Sequence, residues 1–372
     1  VLVVSLVYLL RVGDQPKIEG KRIVVAKALS GGDTTGFARA LEPRCFNFPD
    51  DHGPHPAYKH EWWYYTGNLR GEDGRHFGFQ LTFFRISLSP ETALRDSKWA
   101  TNQIYMAHFT VTDVSGKRFY SFERFSRAAL GLAGAKDHPF RVWLEDWSAE
   151  GLAGRDLPMH LRASQADVTI DLILESAKPI VLQGDRGLSR KSSEPGNASY
   201  YYSLTRLPTN GTMRIGAEAF EVEGLSWLDR EWGTSALGKE QVGWDWFALQ
   251  LSDGREVMFY QLRRKDGSAD PWSSAVLIFA DGSSRTLSLE EMQIEVLNTW
   301  QSPHSFVHYP SHWRLSIPAE SLTLDITPYL ADQELKTSVR YWEGAVSIRG
   351  TSQGKAIHGN GYVELTGYGE EG

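Results

Sequence analysis

From His60 onward the chain alternates polar and apolar residues with a period of two, rich in Tyr, Phe, Trp, Thr and Val. Side chains that alternate in this way fall on opposite faces of an extended strand, so the pattern commits the chain to β-structure. Turn dipeptides cut the pattern at intervals. Glu72-Asp73-Gly74-Arg75 separates Trp62–Arg70 from His76–Ile86, and Ser252-Asp253-Gly254-Arg255 separates Trp244–Leu251 from Glu256–Arg263. Each reads as a hairpin. Asp281-Gly282 closes a further strand over Ala275–Ala280. Helical signals are few; the best is Leu289–Leu297, with Ser288 as its N-cap.

The two hairpins also resemble each other. Trp63-Tyr64-Tyr65 … Asp73-Gly74-Arg75 … Phe79-Gln80-Leu81 matches Trp244-Asp245-Trp246 … Asp253-Gly254-Arg255 … Tyr260-Gln261-Leu262. Ala107-His108-Phe109 leading to Gly116-Lys117-Arg118 is echoed by Val276–Phe279 leading to Gly282-Ser283-Ser284-Arg285, and Trp147 … Val168–Leu172 by Trp313 … Leu322–Ile326. Three matches in one order point to an internal duplication. Its period, near 180 residues, is far too long for a solenoid repeat. It fits two tandem β-barrels or sandwiches of roughly eight to ten strands each, and a barrel of that size holds side chains or one small ligand. The expected division is 1–45 for an N-terminal segment and linker, 46–212 for the first β domain and 213–372 for the second, with the boundary near Asn210–Glu218.

Composition then narrows the function. A net charge of −7 leaves no basic excess to neutralise phosphates, which argues against a nucleic-acid partner. Cys45 is the one cysteine, so no internal disulfide framework or Cys-rich metal site is available. The 13 Trp, 15 Tyr and 17 Phe are rings enough to build β cores or to line a large apolar cavity. The first ten residues, VLVVSLVYLL, are too short to span a bilayer as written. They read as the end of an export signal or membrane anchor, with Arg11–Gly36 as a linker, which implies an exported, periplasmic or membrane-anchored protein. The alternative is an isolated strand or interfacial helix. Asn197-Ala198-Ser199 and Asn210-Gly211-Thr212 match the glycosylation sequon.

Two segments concentrate chemistry. In His60-Glu61-Trp62-Trp63-Tyr64-Tyr65, alternation sets His60, Trp62 and Tyr64 on one strand face and Glu61, Trp63 and Tyr65 on the other. One reading is a structural plug in which Glu61 pairs with an arginine; the other is a ligand contact. In Trp227-Leu228-Asp229-Arg230-Glu231-Trp232-Gly233, Trp227, Asp229 and Glu231 share one face, and Trp244-Asp245-Trp246 follows. Carboxylates amid so many rings are costly unless paired. Either Asp229 or Glu231 forms a buried salt bridge with Arg230 or Arg85, or one carboxyl has a raised pKa and serves as a general acid. Asp245 stands out, with a Trp on each side and no basic residue within five positions. His52, His55 and His60, and His304, His308 and His312, are clustered, but Pro303 and Pro310 break any helix through the second set and HExxH is absent, so no metal is expected. Glycine patterns that cradle phosphates and the GxSxG serine motif are absent too, so no nucleotide cofactor or serine esterase is expected.

Phe48-Pro49-Asp50-Asp51-His52-Gly53-Pro54-His55-Pro56, His60–Gly67, Leu228-Asp229-Arg230-Glu231-Trp232-Gly233 and Gly361-Tyr362-Val363-Glu364-Leu365-Thr366-Gly367-Tyr368 together resemble the AttH-like family, related to carotenoid 1,2-hydratases within the lipocalin-like superfold. The resemblance runs from about Phe46 to Tyr368 and implies two lipocalin-like β-barrel domains. Its hydratase members add water across a terminal isoprenoid double bond without a cofactor; others are pericyclases, and the AttH-like branch is associated with export and transporter-like genes. Hydration needs an acid to protonate the alkene and rings to stabilise the cation that forms. The expected site therefore has Asp245 as the acid, with His60, Glu61, Asp229 and Glu231 as further candidates, and Tyr260 or His60 to place water. Trp62, Trp63, Tyr64, Trp232, Trp244 and Trp246 are the expected ligand contacts. The expected partner is an elongated apolar isoprenoid or lipid. Two other readings are kept: a carrier, which needs the same rings and no acid, and an assembly role at a membrane surface through the N-terminal segment.

Overall fold

The structure, a computed structural model, describes residues 33–91, 96–235 and 237–369, together with the two-residue strand Ile23–Val24, which pairs in parallel with Val339–Arg340. The expected leader over residues 1–10, and most of the linker, lie outside the described residues. Among the described residues no helix is long and apolar enough to cross a membrane.

The alternation does what it implies. Phe77, Phe79, Leu81 and Phe83 in the strand His76–Ser87 enter one core with Trp63, Tyr65, Phe109 and Trp147. Phe247, Phe259, Trp313 and Leu324 fill a second. Asp73-Gly74 and Asp253-Gly254 make the expected turns. The backbone at Gly74 and Gly254 has φ of +81° and +83°, the left-handed region that favours glycine, and each Asp accepts a hydrogen bond from the following Arg N–H, at 2.9 and 3.1 Å.

Among the described residues the strands form a 13-stranded and a 9-stranded sheet, both curled and antiparallel throughout. Their orders agree. In the first, His60–Gly71, His76–Ser87, Gln103–Asp113 and Arg118–Arg127 form a meander, and the hairpin Ala198–Ile215 and Glu218–Gly233 returns beside His60–Gly71. In the second, Gln241–Leu251, Glu256–Arg264, Ser274–Ile278 and Ser284–Leu287 form the meander, and Trp342–Ser352 and Lys355–Leu365 return beside Gln241–Leu251.

Three sequence expectations change in detail. Glu218–Gly233 belongs to the first sheet, so the sheets exchange between Gly233 and Gln241, and a cut at 212/213 would split a long hairpin. Residues ahead of 46 also pack on the first sheet, where Ala40 joins Tyr200, Tyr202 and Trp232. Leu289–Leu297 is not a helix. Gln293–Gln301 is a strand against His308–Ile317, because partners across a sheet outweigh a weak local helix signal.

The sheets pack with their outer faces together. Tyr64, Tyr201 and Trp227 from the first meet Trp246, Met258, Tyr260, Ala345 and Tyr362 from the second. Polar clamps cross the seam. Glu256 accepts from Arg206 and, at 2.7 Å, from Lys178 Nζ, and Gln250 Nε2 donates to Thr205 and Ser226 carbonyls at 2.8 and 3.0 Å.

Candidate active site

Because the two barrel cores are filled by their own side chains, the aromatic site expected inside a barrel lies instead between the sheets. A cavity with about 680 Å³ of empty space, part of it open to solvent, is lined by Trp62, Tyr64, Phe84, Lys191, Tyr201, Asp229, Glu231, Trp244, Trp246, Tyr260, Leu262 and Glu364. Trp62 and Tyr64 come from one face of His60–Gly71. Trp244 and Trp246 come from the like face of Gln241–Leu251, so period-two geometry delivers all four rings to one space.

Two carboxyls in the lining, Asp229 from the first sheet and Glu364 from the second, hold protons unusually tightly. Asp229 is buried with no cation paired to it among the described residues. Burial drives its pKa up to about 7, against hydrogen bonds from Ser203 (2.5 Å), Tyr201 and Trp227 Nε1 (2.7 Å) that favour the ionised form. Glu364 is also pushed to about 7, first by burial and then by the charges of Asp229 and Glu231, while Trp244 Nε1 donates to its Oε2 at 2.9 Å. Its other oxygen has no hydrogen-bond partner among the described residues, and the residue lines the cavity. Behind the wall the Tyr64 hydroxyl donates to Glu343, which burial and Glu364 hold well above the usual carboxylate range.

Beside Asp229, on the same strand face, the lining is polar and charge-balanced. Glu231 accepts from Ser199 and pairs with Lys191 Nζ at 3.2 Å. Burial works against the Lys191 ammonium, but Glu231 and Tyr260 outweigh it and its pKa stands above the ordinary lysine value.

Of the residues singled out in the sequence, Trp62, Tyr64, Asp229, Glu231, Trp244, Trp246 and Tyr260 line this cavity. The others do not. Asp245 points away from Trp244 and Trp246, as alternation requires. It accepts from Arg263 Nε at 2.9 Å and from the Tyr368 hydroxyl, a basic partner supplied by the neighbouring strand and invisible to a five-residue window. It is therefore not the acid of this cavity. Asp245→Asn is expected to leave ligand turnover unchanged and to cost about 1–3 kcal/mol of stability in urea unfolding, through the weakened Arg263 contact.

Glu61 is the plug rather than the ligand contact. It is wholly buried, accepts from both Arg85 and Arg230, and takes the His55 N–H at 3.0 Å. Burial opposes its charge, but the two guanidiniums together hold its carboxyl well below the usual range. Both candidate arginines are thus committed to Glu61, which leaves Asp229 without one. Trp63 lies under Arg230, 4.0 Å from ring centre to guanidinium, and Trp232 stacks on His55 at 3.8 Å. His60 is buried beside Trp62, and burial, with Arg85 and Lys59, pulls its imidazole down to about 3. It is neutral and outside the cavity lining, so it does not place water there.

Sequence reasoning missed Phe84, Lys191, Tyr201, Leu262 and Glu364. Glu364 carried a signal, since it lies within Gly361–Tyr368, one of the segments on which the family resemblance rests. Lys191 carried none. It follows the three-residue strand Leu188–Arg190 and reaches the site only through pairing with Ala198–Ile215.

Comparison with known proteins agrees with this architecture. A sequence profile described as AttH-like matches residues 39–368. Kievitone hydratase of Fusarium solani subsp. phaseoli is 25% identical over 211 residues, covering 55% of this chain and 58% of that protein. The chain thus spans less than two thirds of that curated relative. Among solved structures, an AttH protein from Nitrosomonas europaea superposes with a TM-score of 0.79 at 34% identity, over 89% of this chain and all of that one. Kievitone hydratase from Nectria haematococca gives 0.68 at 15% identity, over 89% of this chain and 98% of that one. CghA, solved with Sch210972, gives 0.54 at 15%, over 91% and 97%. The last two share the lipocalin-like fold.

Proposed function

Because the chain belongs to the AttH-like family, we propose that its inter-sheet cavity binds the unsaturated end of an apolar ligand and adds water across a carbon–carbon double bond there. The observation that carries this reading is a pair of carboxyls, Asp229 and Glu364, both raised to about 7 and both lining one cavity with tryptophan and tyrosine. A carboxylic acid that stays neutral near pH 7 can donate a proton, which an ordinary surface carboxylate cannot do there. The hydratase names among its relatives point the same way.

In this reading Glu364 is the donor, because it lines the cavity with one oxygen free of hydrogen bonds among the described residues, whereas Asp229 accepts three. Its O–H proton passes to an alkene carbon, leaving a carbocation and the Glu364 carboxylate. The faces of Trp62, Trp244, Trp246 and Tyr201 stabilise the cation electrostatically. Water adds to the cation, and its surplus proton returns to the carboxylate, so the net reaction consumes only water. Asp229 is a positioning residue that acts on the Glu364 pKa.

The test is incubation with an acyclic carotenoid followed by mass spectrometry. A product heavier by one water supports hydration. An unchanged carotenoid that stays bound supports a carrier, and no binding removes this substrate class. The pH profile gives a second check. The donor must be protonated, so the rate is expected to fall as pH rises through about 7. In Asp229→Asn a neighbouring negative charge is gone, Glu364 ionises more readily, and the falling limb should move to lower pH.

A further inference from the structure

We infer that the ligand is not a pure hydrocarbon but carries a neutral oxygen acceptor, a ketone or similar carbonyl, held jointly by Lys191 Nζ and the Tyr260 hydroxyl; this rests on the cavity being the ligand site proposed above. Lys191 is buried and lines the cavity. An ammonium has three N–H donors. Ser189 Oγ at 3.1 Å and Glu231 Oε1 at 3.2 Å take two of them. Ser189 Oγ is in turn 3.1 Å from the Tyr260 hydroxyl. When Ser189 accepts from Lys191 and donates to Tyr260, the Tyr260 O–H is left to donate into the cavity. The ammonium lies over the Tyr260 ring, 4.6 Å from its centre, and both residues line the cavity. A hydrocarbon packed against them would leave the third ammonium N–H without an acceptor at a desolvation cost, and would leave the Tyr260 O–H only Ser189 Oγ to donate to. A carbonyl oxygen, with two lone pairs, accepts from both.

Charge decides between a carbonyl and a carboxylate. The Lys191 charge is already matched by Glu231, and Asp229 and Glu364 add no positive charge. A ligand carboxylate would be repelled by these carboxyls as they ionise, whereas a neutral acceptor meets the donors and carries no charge to be repelled. The anchor also separates the roles of the cavity walls. Lys191 and Tyr260 fix the oxygen, and the distance from it along the ligand selects the double bond presented to Glu364.

Binding of three probes that share one isoprenoid chain tests this, read by quenching of tryptophan fluorescence: farnesylacetone, the hydrocarbon with CH2 in place of its C=O, and the carboxylic acid of matching length. At pH 8 the ketone is expected to bind about 10–100-fold tighter than the hydrocarbon, the range of a hydrogen bond to a charged donor, and tighter than the acid. The double variant Lys191→Met/Glu231→Gln keeps the charge balance and should erase the difference between ketone and hydrocarbon. Tyr260→Phe should reduce it. Equal binding of ketone and hydrocarbon to the parent protein, persistence of the preference in the double variant, or tighter binding of the acid overturns the inference while leaving the ligand site standing. Failure of all three probes to bind overturns the ligand-site reading, and the inference with it.

Discussion

Glu364→Gln is expected to slow water addition by about 10²–10⁴-fold, the usual contribution of a general acid, with ligand affinity within a few-fold of the parent. The glutamine side chain can still accept from Trp244 Nε1, which in the parent donates to Glu364 Oε2 at 2.9 Å. The wall therefore keeps its shape and loses only its transferable proton. The fold should hold as well. Glu364 is partly exposed at the cavity rather than locked in an ion pair, and an uncharged amide removes a carboxyl that burial disfavours when ionised. Steady-state kinetics over a pH series separates this from a packing effect. Loss of rate at every pH marks the donor, whereas a raised KM with an unchanged kcat would mark a mere ligand contact.

The second large effect is on stability, and it arises on the other face of the strands that carry Trp62, Asp229 and Glu231. Glu61→Gln is expected to destabilise the protein by about 3–5 kcal/mol, because it leaves Arg85 and Arg230 buried together without their shared counter-charge. The two guanidiniums are wholly buried, and their remaining partners are neutral: the Tyr58 carbonyl at 2.8 Å from Arg85, and the Gly53 carbonyl at 2.6 Å from Arg230. The sign with pH follows from the depressed Glu61 pKa. Its contribution is complete above the unfolded value near 4.5 and is lost as pH falls below it. Denaturant unfolding at pH 7 and pH 4 should show the parent losing stability on acidification and Glu61→Gln losing less.

The same two residues show what could be read from the chain. Strands, turns and cores follow from local pattern. Phe77, Phe79, Leu81 and Phe83 declare a buried face, and Asp73-Gly74 and Asp253-Gly254 declare turns with positive φ. Glu61 beside aromatic rings declared a buried carboxylate, and its pairing with arginine was one of the two readings the residues allowed. What the pattern did not fix is which face meets which neighbour. Asp245 looked like an acid among tryptophans because it adjoins them in sequence, but adjacency in a strand puts side chains on opposite faces.

The apparent match between Trp63 and Trp244 fails for the same reason. Counted back from the equivalent turns at Gly74 and Gly254, the ring that faces the seam like Trp244 is Tyr64, whereas Trp63 faces the first core. Lys191, Tyr201 and Glu364 were hidden differently. They are brought to the cavity by pairings and sheet contacts between distant segments, and nothing in their own neighbourhoods records that register. The common strand order of the two sheets, by contrast, had a visible trace in the repeated hairpins.

The central claim is that a carboxylic acid stays neutral near pH 7 in the wall between the sheets, and infrared difference spectroscopy of the ligand-free protein tests it without choosing a substrate. The protonated carboxyl C=O band should contain a component that disappears with a midpoint near 7. That component should be absent in Asp229→Asn/Glu364→Gln, whereas any signal from Glu343, whose pKa burial also raises, is common to both proteins. Loss of all titrating carboxylic-acid signal below about pH 5, as for ordinary carboxyls, would contradict the account and leave the cavity with no acid to give.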